Sequence, residues 1–263
     1  MTRKAKCTAT KSKKVSVGRR IWRITYRTIL ALWLISILWV VMLKYVPVYF
    51  TPLMIRRSVE AVVNGEKPHN EKRWIPLTEI HYNLPLACVA SEDNLFLTHN
   101  GFSKTAIVGA IEDHRKGKPL RGASTISQQT AKNVFTFGTH TWFRKGIEVY
   151  YTILIENIWG KERIMEVYLN IVELGNGIYG AEAASQHYFN KTAAKVSRPQ
   201  AAIIAAALPN PRKYSITRPG PYMLRRQAQI LALMPKMRQL PFDCIGSKVA
   251  KKTKDTFGSS TKK

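Results

Sequence analysis

Three polar clusters carry residue types that can do chemistry. The first is Ala90-Ser-Glu-Asp-Asn-Leu-Phe-Leu-Thr-His-Asn-Gly101. A helix over Cys88 to His99 would line Cys88, Glu92, Phe96 and His99 along one face, at helical spacing. A carboxylate on a stripe with an aromatic ring and a thiol is partly desolvated, which suits Glu92 to general-base work. A Glu-Asp pair in the first turn of a helix, where the dipole favours negative charge, accounts for the same residues without chemistry. The second cluster is Arg121-Gly-Ala-Ser-Thr-Ile-Ser-Gln-Gln-Thr-Ala-Lys-Asn133. Small hydroxyl residues, adjacent amides, a lysine and an asparagine make a poor core helix on any face. The run reads as a loop entering a helix N-terminus, whose free amides can hold phosphate or sugar oxygens beside the point charge of Lys132; a plain polar surface segment is the other reading. Its spacing is not that of a P-loop, so nucleotide binding is not implied. In the third cluster, Arg144-Lys-Gly-Ile-Glu148, Arg144 and Glu148 stand four apart. Alone they make an ordinary surface ion pair worth about a few tenths of a kcal/mol.

The elements that must hold these clusters are helical. From about Ile75 to Met237 strand-like alternation is scarce, and apolar residues recur at three- and four-residue spacing. Gly146 to Trp159 reads as a helix ended by Gly160, Lys161 to Glu173 as the next, then Ala181 to Phe189, Pro199 to Leu208 and Tyr222 to Met234. The fold class expected is mainly α.

Upstream, Thr28 to Leu43 is an uncharged apolar run, with no charge between Arg27 and Lys44. It covers ~24 Å as a helix, and apolar residues up to Phe50 extend it to the ~30 Å of a bilayer core. The expected anchor therefore covers residues 28–50. No small-residue cleavage pattern follows it, which argues against a cleaved signal peptide. Residues 1–27 hold ten cationic side chains and no acid, placing this arm in the cytoplasm by the positive-inside rule. Residues 51–74 form a juxtamembrane segment; the stretch from Val46 to Arg57 is either a linker or a strip along the membrane surface. Residues 75–237 are the working domain, and 238–263 a basic tail.

Overall, 42 Lys and Arg against 16 Asp and Glu give a net charge of +26. Such an excess fits a polyanionic partner: nucleic acid, an anionic membrane or a phosphorylated substrate. With 45% hydrophobic residues the chain can build a core, which excludes a wholly disordered basic protein. Three widely spaced cysteines, Cys7, Cys88 and Cys244, exclude a disulfide scaffold and a CxxC metal site.

In this order, the clusters resemble the motifs of the monofunctional biosynthetic peptidoglycan transglycosylases. The motif E-D-x-x-F-x-x-H-x-G falls on Glu92, Asp93, Phe96, His99 and Gly101. G-x-S-T-I-x-Q-Q-x-x-K-N falls on Gly122, Ser124, Thr125, Ile126, Gln128, Gln129, Lys132 and Asn133. R-K-x-x-E matches Arg144, Lys145 and Glu148, and K-x-x-I-x-E-x-Y-L-N matches Lys161, Ile164, Glu166, Tyr168, Leu169 and Asn170. The resemblance implies a lysozyme-like glycosyltransferase domain behind a single transmembrane helix, on the periplasmic side of the bacterial inner membrane. It implies polymerisation of lipid II into glycan strands with inversion, releasing undecaprenyl diphosphate, beside other cell wall synthesis and division proteins. Glu92 is then the general base, Glu148 the second acid and Lys132 the stabiliser of the leaving diphosphate. Ser124, Thr125, Gln128, Gln129, Asn133, Arg144 and Lys145 become substrate contacts. The resemblance leaves room for a divalent cation, Mg or Mn, without naming protein ligands for it. This chain departs from the family at His140, where an arginine is common, and at Ser103, where an aspartate is common.

Two rival readings remain. A lytic enzyme would use Glu92 as general acid, with a second carboxylate ~5–10 Å away. A nucleic-acid scaffold would use the basic tails, but no zinc finger, basic zipper or RNA-recognition signature is present. Ser259-Ser-Thr-Lys262 spells S-x-x-K with too few residues around it for a transpeptidase domain.

Overall fold

The computed structural model describes residues 17–117, 124–137, 141–237 and 240–247. The first sixteen residues of the basic arm, Arg121, Gly122, His140 and the tail from 248 onward lie outside the described residues. The described chain is mainly α-helical, as the apolar spacing predicts.

Helix α1 (Val17–Tyr45) is long and apolar enough to cross a membrane, and most of its side chains are exposed. It ends earlier than the expected anchor and begins sooner. Val46 precedes Pro47, a position that disfavours the α conformation, so residues 46–51 leave the helix. At the other end the basic residues Arg19 to Arg27 continue it. The C-terminal end of α1 is fastened to the domain behind it. The Trp159 indole donates to Val40 O (2.8 Å), and Arg163 donates to Leu43 O (2.8 Å) and Val46 O (2.6 Å).

Helix α2 (Pro52–Val63) starts at Thr51, whose hydroxyl accepts from the Met54 amide, with Pro52 in the first turn where its missing N–H costs nothing. Neither reading for this segment included a docked helix, yet α2 packs on α5 (Ile126–Phe135), and Arg57 bonds to Glu173 (3.1 Å). The linker before it is held by Lys72, whose ammonium donates to Val48 O and Tyr49 O.

The domain surrounds α5. Helices α6 (Trp142–Ile158) and α7 (Gly160–Ile171) pack against it, while α3 (Asn83–Glu92) lies on α9 (Arg198–Ala207), which in turn lies on α10 (Pro221–Leu233). Helix α4 (Lys104–Arg115) follows the Glu92 turn, and α8 (Ala181–Phe189) follows a small sheet. The sheet comprises β1 (Glu71–Lys72), β2 (Glu173–Gly175) and β3 (Ile178–Tyr179); β3 is central, parallel to β1 and antiparallel to β2. Alanines make α9 thin enough to be buried along its length from Ala201 to Ala207, so α3 and α10 both approach it closely.

The sequence boundary at residue 237 is too early. Leu240, Phe242 and Cys244 are buried, Ile245 N bonds to Ile80 O (3.0 Å), and Tyr82 N bonds to Ile245 O (2.8 Å). The apolar residues in this stretch close the core beneath α3, so residues 240–247 belong to the folded domain.

Candidate active site

Glu92 is the last residue of α3. The expected helix to His99 does not form, because Asp93 leaves helical geometry (φ −157°, ψ 76°) and turns its carboxylate inward. There it accepts from the Ile126 amide (3.1 Å) and meets His99 Nε2 (2.9 Å). His99 Nδ1 accepts from the Gly101 amide (3.1 Å), so its Nε2 carries the proton donated to Asp93. Phe96 fills the core. The shared-face argument for Cys88, Glu92, Phe96 and His99 thus fails, as does the first-turn alternative, for Glu92 sits at a helix C-terminus. Helix carbonyls disfavour a carboxylate there by about 0.3–1 kcal/mol, so local stability does not explain the residue.

Among the described residues, each Glu92 oxygen has one donor: Ser91 Oγ to Oε1 (3.1 Å) and Gln129 Nε2 to Oε2 (2.9 Å). The carboxylate is half-buried and keeps acceptor capacity toward an open cavity of about 730 Å³. Arg226 from α10 bonds to Ser91 O (2.8 Å) and holds the end of α3 in place. Beneath, Tyr168 is fully buried; burial first, and the nearby Glu92 second, push its phenol well above the usual tyrosine range.

Helix α5 starts at Thr125 with a complete capping box. The Thr125 hydroxyl accepts from the Gln128 amide (3.2 Å), Gln128 Oε1 accepts from the Thr125 amide (3.1 Å), and Thr125 Oγ1 donates to Gly101 O (2.6 Å). This corrects two expectations. Thr125 and Gln128 are buried and hold the helix start rather than facing substrate. Two of the amides expected to cradle an anion are taken, that of Ile126 by Asp93 and that of Gln128 by Thr125. Ser124 and Gln129 do face the cleft, and Lys132 and Asn133 follow one turn on.

A second cavity of about 420 Å³ adjoins the first, sharing Ser124, Gln129 and Pro209 as its threshold. Lys132, Asn133, Arg144, Lys145 and Glu148 line it. Glu148 is buried, with one oxygen held by Arg144 (3.0 Å) and the other by Lys145. The pair read from sequence as a surface contact is therefore half-buried: the Glu148 carboxylate is buried, while Arg144 and Lys145 keep some exposure. Lys132 opens onto the cleft, yet its walls strip water from the ammonium and lower its pKa. Glu148 works against that shift, while Arg144, Lys145 and Arg56 add to it.

The fourth cluster is scaffolding. Lys161 donates to His99 O (2.6 Å) and Glu156 (2.6 Å) over the Phe96 ring, and Asn170 clamps Ile75 through both backbone groups (2.9 Å each). Ser103 is buried at the start of α4. Sequence reasoning missed Arg56 and Arg57 on α2, which line the cationic cavity, and Tyr222, Arg225 and Gln229 on α10, which line the Glu92 cavity. Adjacent arginines inside two amphipathic helices were the only signal, and such pairs more often face water.

The Transglycosylase family profile matches residues 59–235. A protein of Bacteroides thetaiotaomicron named "Biosynthetic peptidoglycan transglycosylase" is 52% identical over 206 residues, 78% of this chain and 83% of that protein. Proteins of the same name from Bdellovibrio bacteriovorus (49%, covering 78% of this chain and 82% of that protein) and Shewanella oneidensis (47%, 84% and 93%) are also similar.

Proposed function

The chain belongs to the transglycosylase family, and on that premise we propose that it polymerises lipid II into glycan strands at the outer face of the cytoplasmic membrane. It is a peptidoglycan glycosyltransferase of cell wall synthesis. The observation that carries the finer reading is a carboxylate and a cationic bay on two sides of one threshold: Glu92 in one cavity, Lys132 with Arg144 and Lys145 in the next.

In this reading the acceptor sugar lies in the Glu92 cavity, and the diphosphate of the donor lies in the cationic one. Glu92 takes the proton of the acceptor 4-hydroxyl as that oxygen bonds to the donor's anomeric carbon. The bond from that carbon to the diphosphate breaks on the opposite face, giving inversion. Negative charge gathers on the departing undecaprenyl diphosphate, where the Lys132 ammonium meets it. One donor aimed at developing charge is worth about 3–4 kcal/mol. Glu148 keeps Arg144 and Lys145 in fixed positions for the same anion, and Ser124, Gln129 and Asn133 position the sugars between the two ends.

A divalent cation would add Lewis-acid stabilisation of the diphosphate. Among the described residues no three metal-ligating side chains converge, and both Glu148 oxygens are held by cations, so the side chains do not fit a resident metal. The steps above use only the chain's own groups.

The test is purified full-length protein with lipid II. Lengthening glycan chains are expected. Dissolution of preformed sacculi without consumption of lipid II would instead establish a lytic enzyme.

A further inference from the structure

The cationic cavity has a wall that the sequence motifs do not supply. Leu53, Arg56 and Arg57 of α2, the helix that follows the membrane anchor in sequence, line it as well. Of its lining residues, five side chains are cationic and two, Glu148 and Glu173, are anionic. The two arginines of α2 do different things. Arg57 bonds to Glu60 (2.8 Å) and to the buried Glu173 (3.1 Å), and these acids more than offset the cost of its burial, raising its pKa. It is the bolt that fixes α2 to β2. Arg56 pairs along the helix with Glu60 (3.2 Å), its side chain is 36% exposed, and its charge reaches Lys132 across the cavity.

We propose that Arg56 is a further substrate-binding residue, presenting its guanidinium to the diphosphate of the polyprenyl-linked donor opposite Lys132. The inference rests on the reaction proposed above. A doubly esterified diphosphate is a compact anion with oxygens on two phosphorus centres, and cations on facing walls can engage both. A guanidinium does so through directed paired N–H groups, whereas Lys132 acts as a point charge. Geometry supports the assignment as well as charge. The linker between α1 and α2 covers only residues 46–51, so Arg56 stands close in sequence to the end of the membrane helix. The polyprenyl tail of the substrate stays in the bilayer, so its diphosphate enters from that side.

The experiment measures steady-state polymerisation by the full-length protein in liposomes, with inorganic pyrophosphate as a competing probe. Arg56→Ala is expected to raise KM for lipid II about tenfold with kcat within about twofold, and to weaken inhibition by pyrophosphate in proportion. Arg56→Lys keeps the charge but loses the paired N–H groups, and is expected to recover only part of both. Glu60→Gln removes the same intrahelical pairing but keeps the cation, and is expected to leave KM within about twofold of wild type. An unchanged KM and unchanged pyrophosphate inhibition in Arg56→Ala would overturn the inference. So would a rise in KM for Glu60→Gln equal to that for Arg56→Ala, which would assign the effect to the docking of α2. A wild-type protein that does not lengthen glycan would sink the functional reading itself, a result separate from a silent Arg56 in an active enzyme.

Discussion

At the residue scale, Glu92 and its neighbour Asp93 divide the labour of one motif. Asp93 faces inward and ties three segments together, while Glu92 faces the cleft with acceptor capacity in reserve. Glu92→Gln keeps the shape and a hydrogen bond to the neighbouring amide, so its thermal midpoint should stay within about a degree of wild type, whereas kcat should fall at least ~100-fold. Activity near the wild-type level in a purified Glu92→Gln protein would remove Glu92 from the chemistry. Lys132 yields a pH prediction. Its working form is the charged ammonium, and its pKa lies below the ordinary lysine value of 10.5 because the cleft desolvates it. Charge and activity are therefore present at low pH relative to that pKa and are lost as pH rises through it, earlier than for an exposed lysine. Lys132→Arg stays charged throughout, so the alkaline limb of its kcat/KM profile should move to higher pH; coincident limbs would contradict the assignment. The residue types of the site were legible in the sequence because carboxylate, lysine and amides stood at motif spacing. The inward turn of Thr125 and Gln128 was not, since a capping box and a substrate contact use the same polar atoms and only the helix start distinguishes them.

At the element scale, periodicity identified most helices within a few residues, and Gly160 was rightly read as the break between α6 and α7. It failed at the end of α3, where tertiary bonds from Asp93 to α5 and His99 outweigh helix continuation. Long-range partners cannot be read from local spacing, and for the same reason α2 was left between two readings. The turn that follows α3 has a strict requirement at Gly101. Its φ is +86°, and an added Cβ would stand 2.7 Å from Thr152 Cγ2 on α6. Gly101 O also receives the Thr125 hydroxyl, so displacing this turn disturbs the start of α5. Gly101→Ala combines backbone strain with a clash against a buried side chain and should cost about 3 kcal/mol, seen as a lower thermal midpoint of the purified protein. A midpoint equal to wild type would mean that α6 gives way more easily than its packing suggests.

At the scale of the whole molecule, the charge that first suggested nucleic acid is concentrated in the basic N-terminal arm, whose last four arginines lie within α1, in the cationic cavity around Lys132, and in a tail outside the described residues. The domain is clamped to the C-terminal end of α1 through Trp159 and Arg163, so the side of the membrane it occupies is fixed by the orientation of that one helix. By the positive-inside rule, ten cations before the apolar run and no acid before Glu60 favour an N-terminus in the cytoplasm, the orientation we propose. The three native cysteines provide the test. Cys88 and Cys244 are buried, and burial drives both thiols up, the second to about 12, so neither offers thiolate to an alkylating reagent near neutral pH. Cys7 belongs to the basic arm. A membrane-impermeant maleimide should therefore leave the wild-type protein unlabelled in intact spheroplasts and label it at Cys7 once they are permeabilised. Lys191→Cys, at an exposed position after α8 on the far side of the span, should be labelled without permeabilisation. Labelling of Cys7 in intact spheroplasts, or protection of Lys191→Cys there, would reverse the orientation and place the cleft on the side of the membrane where no glycan strand is built.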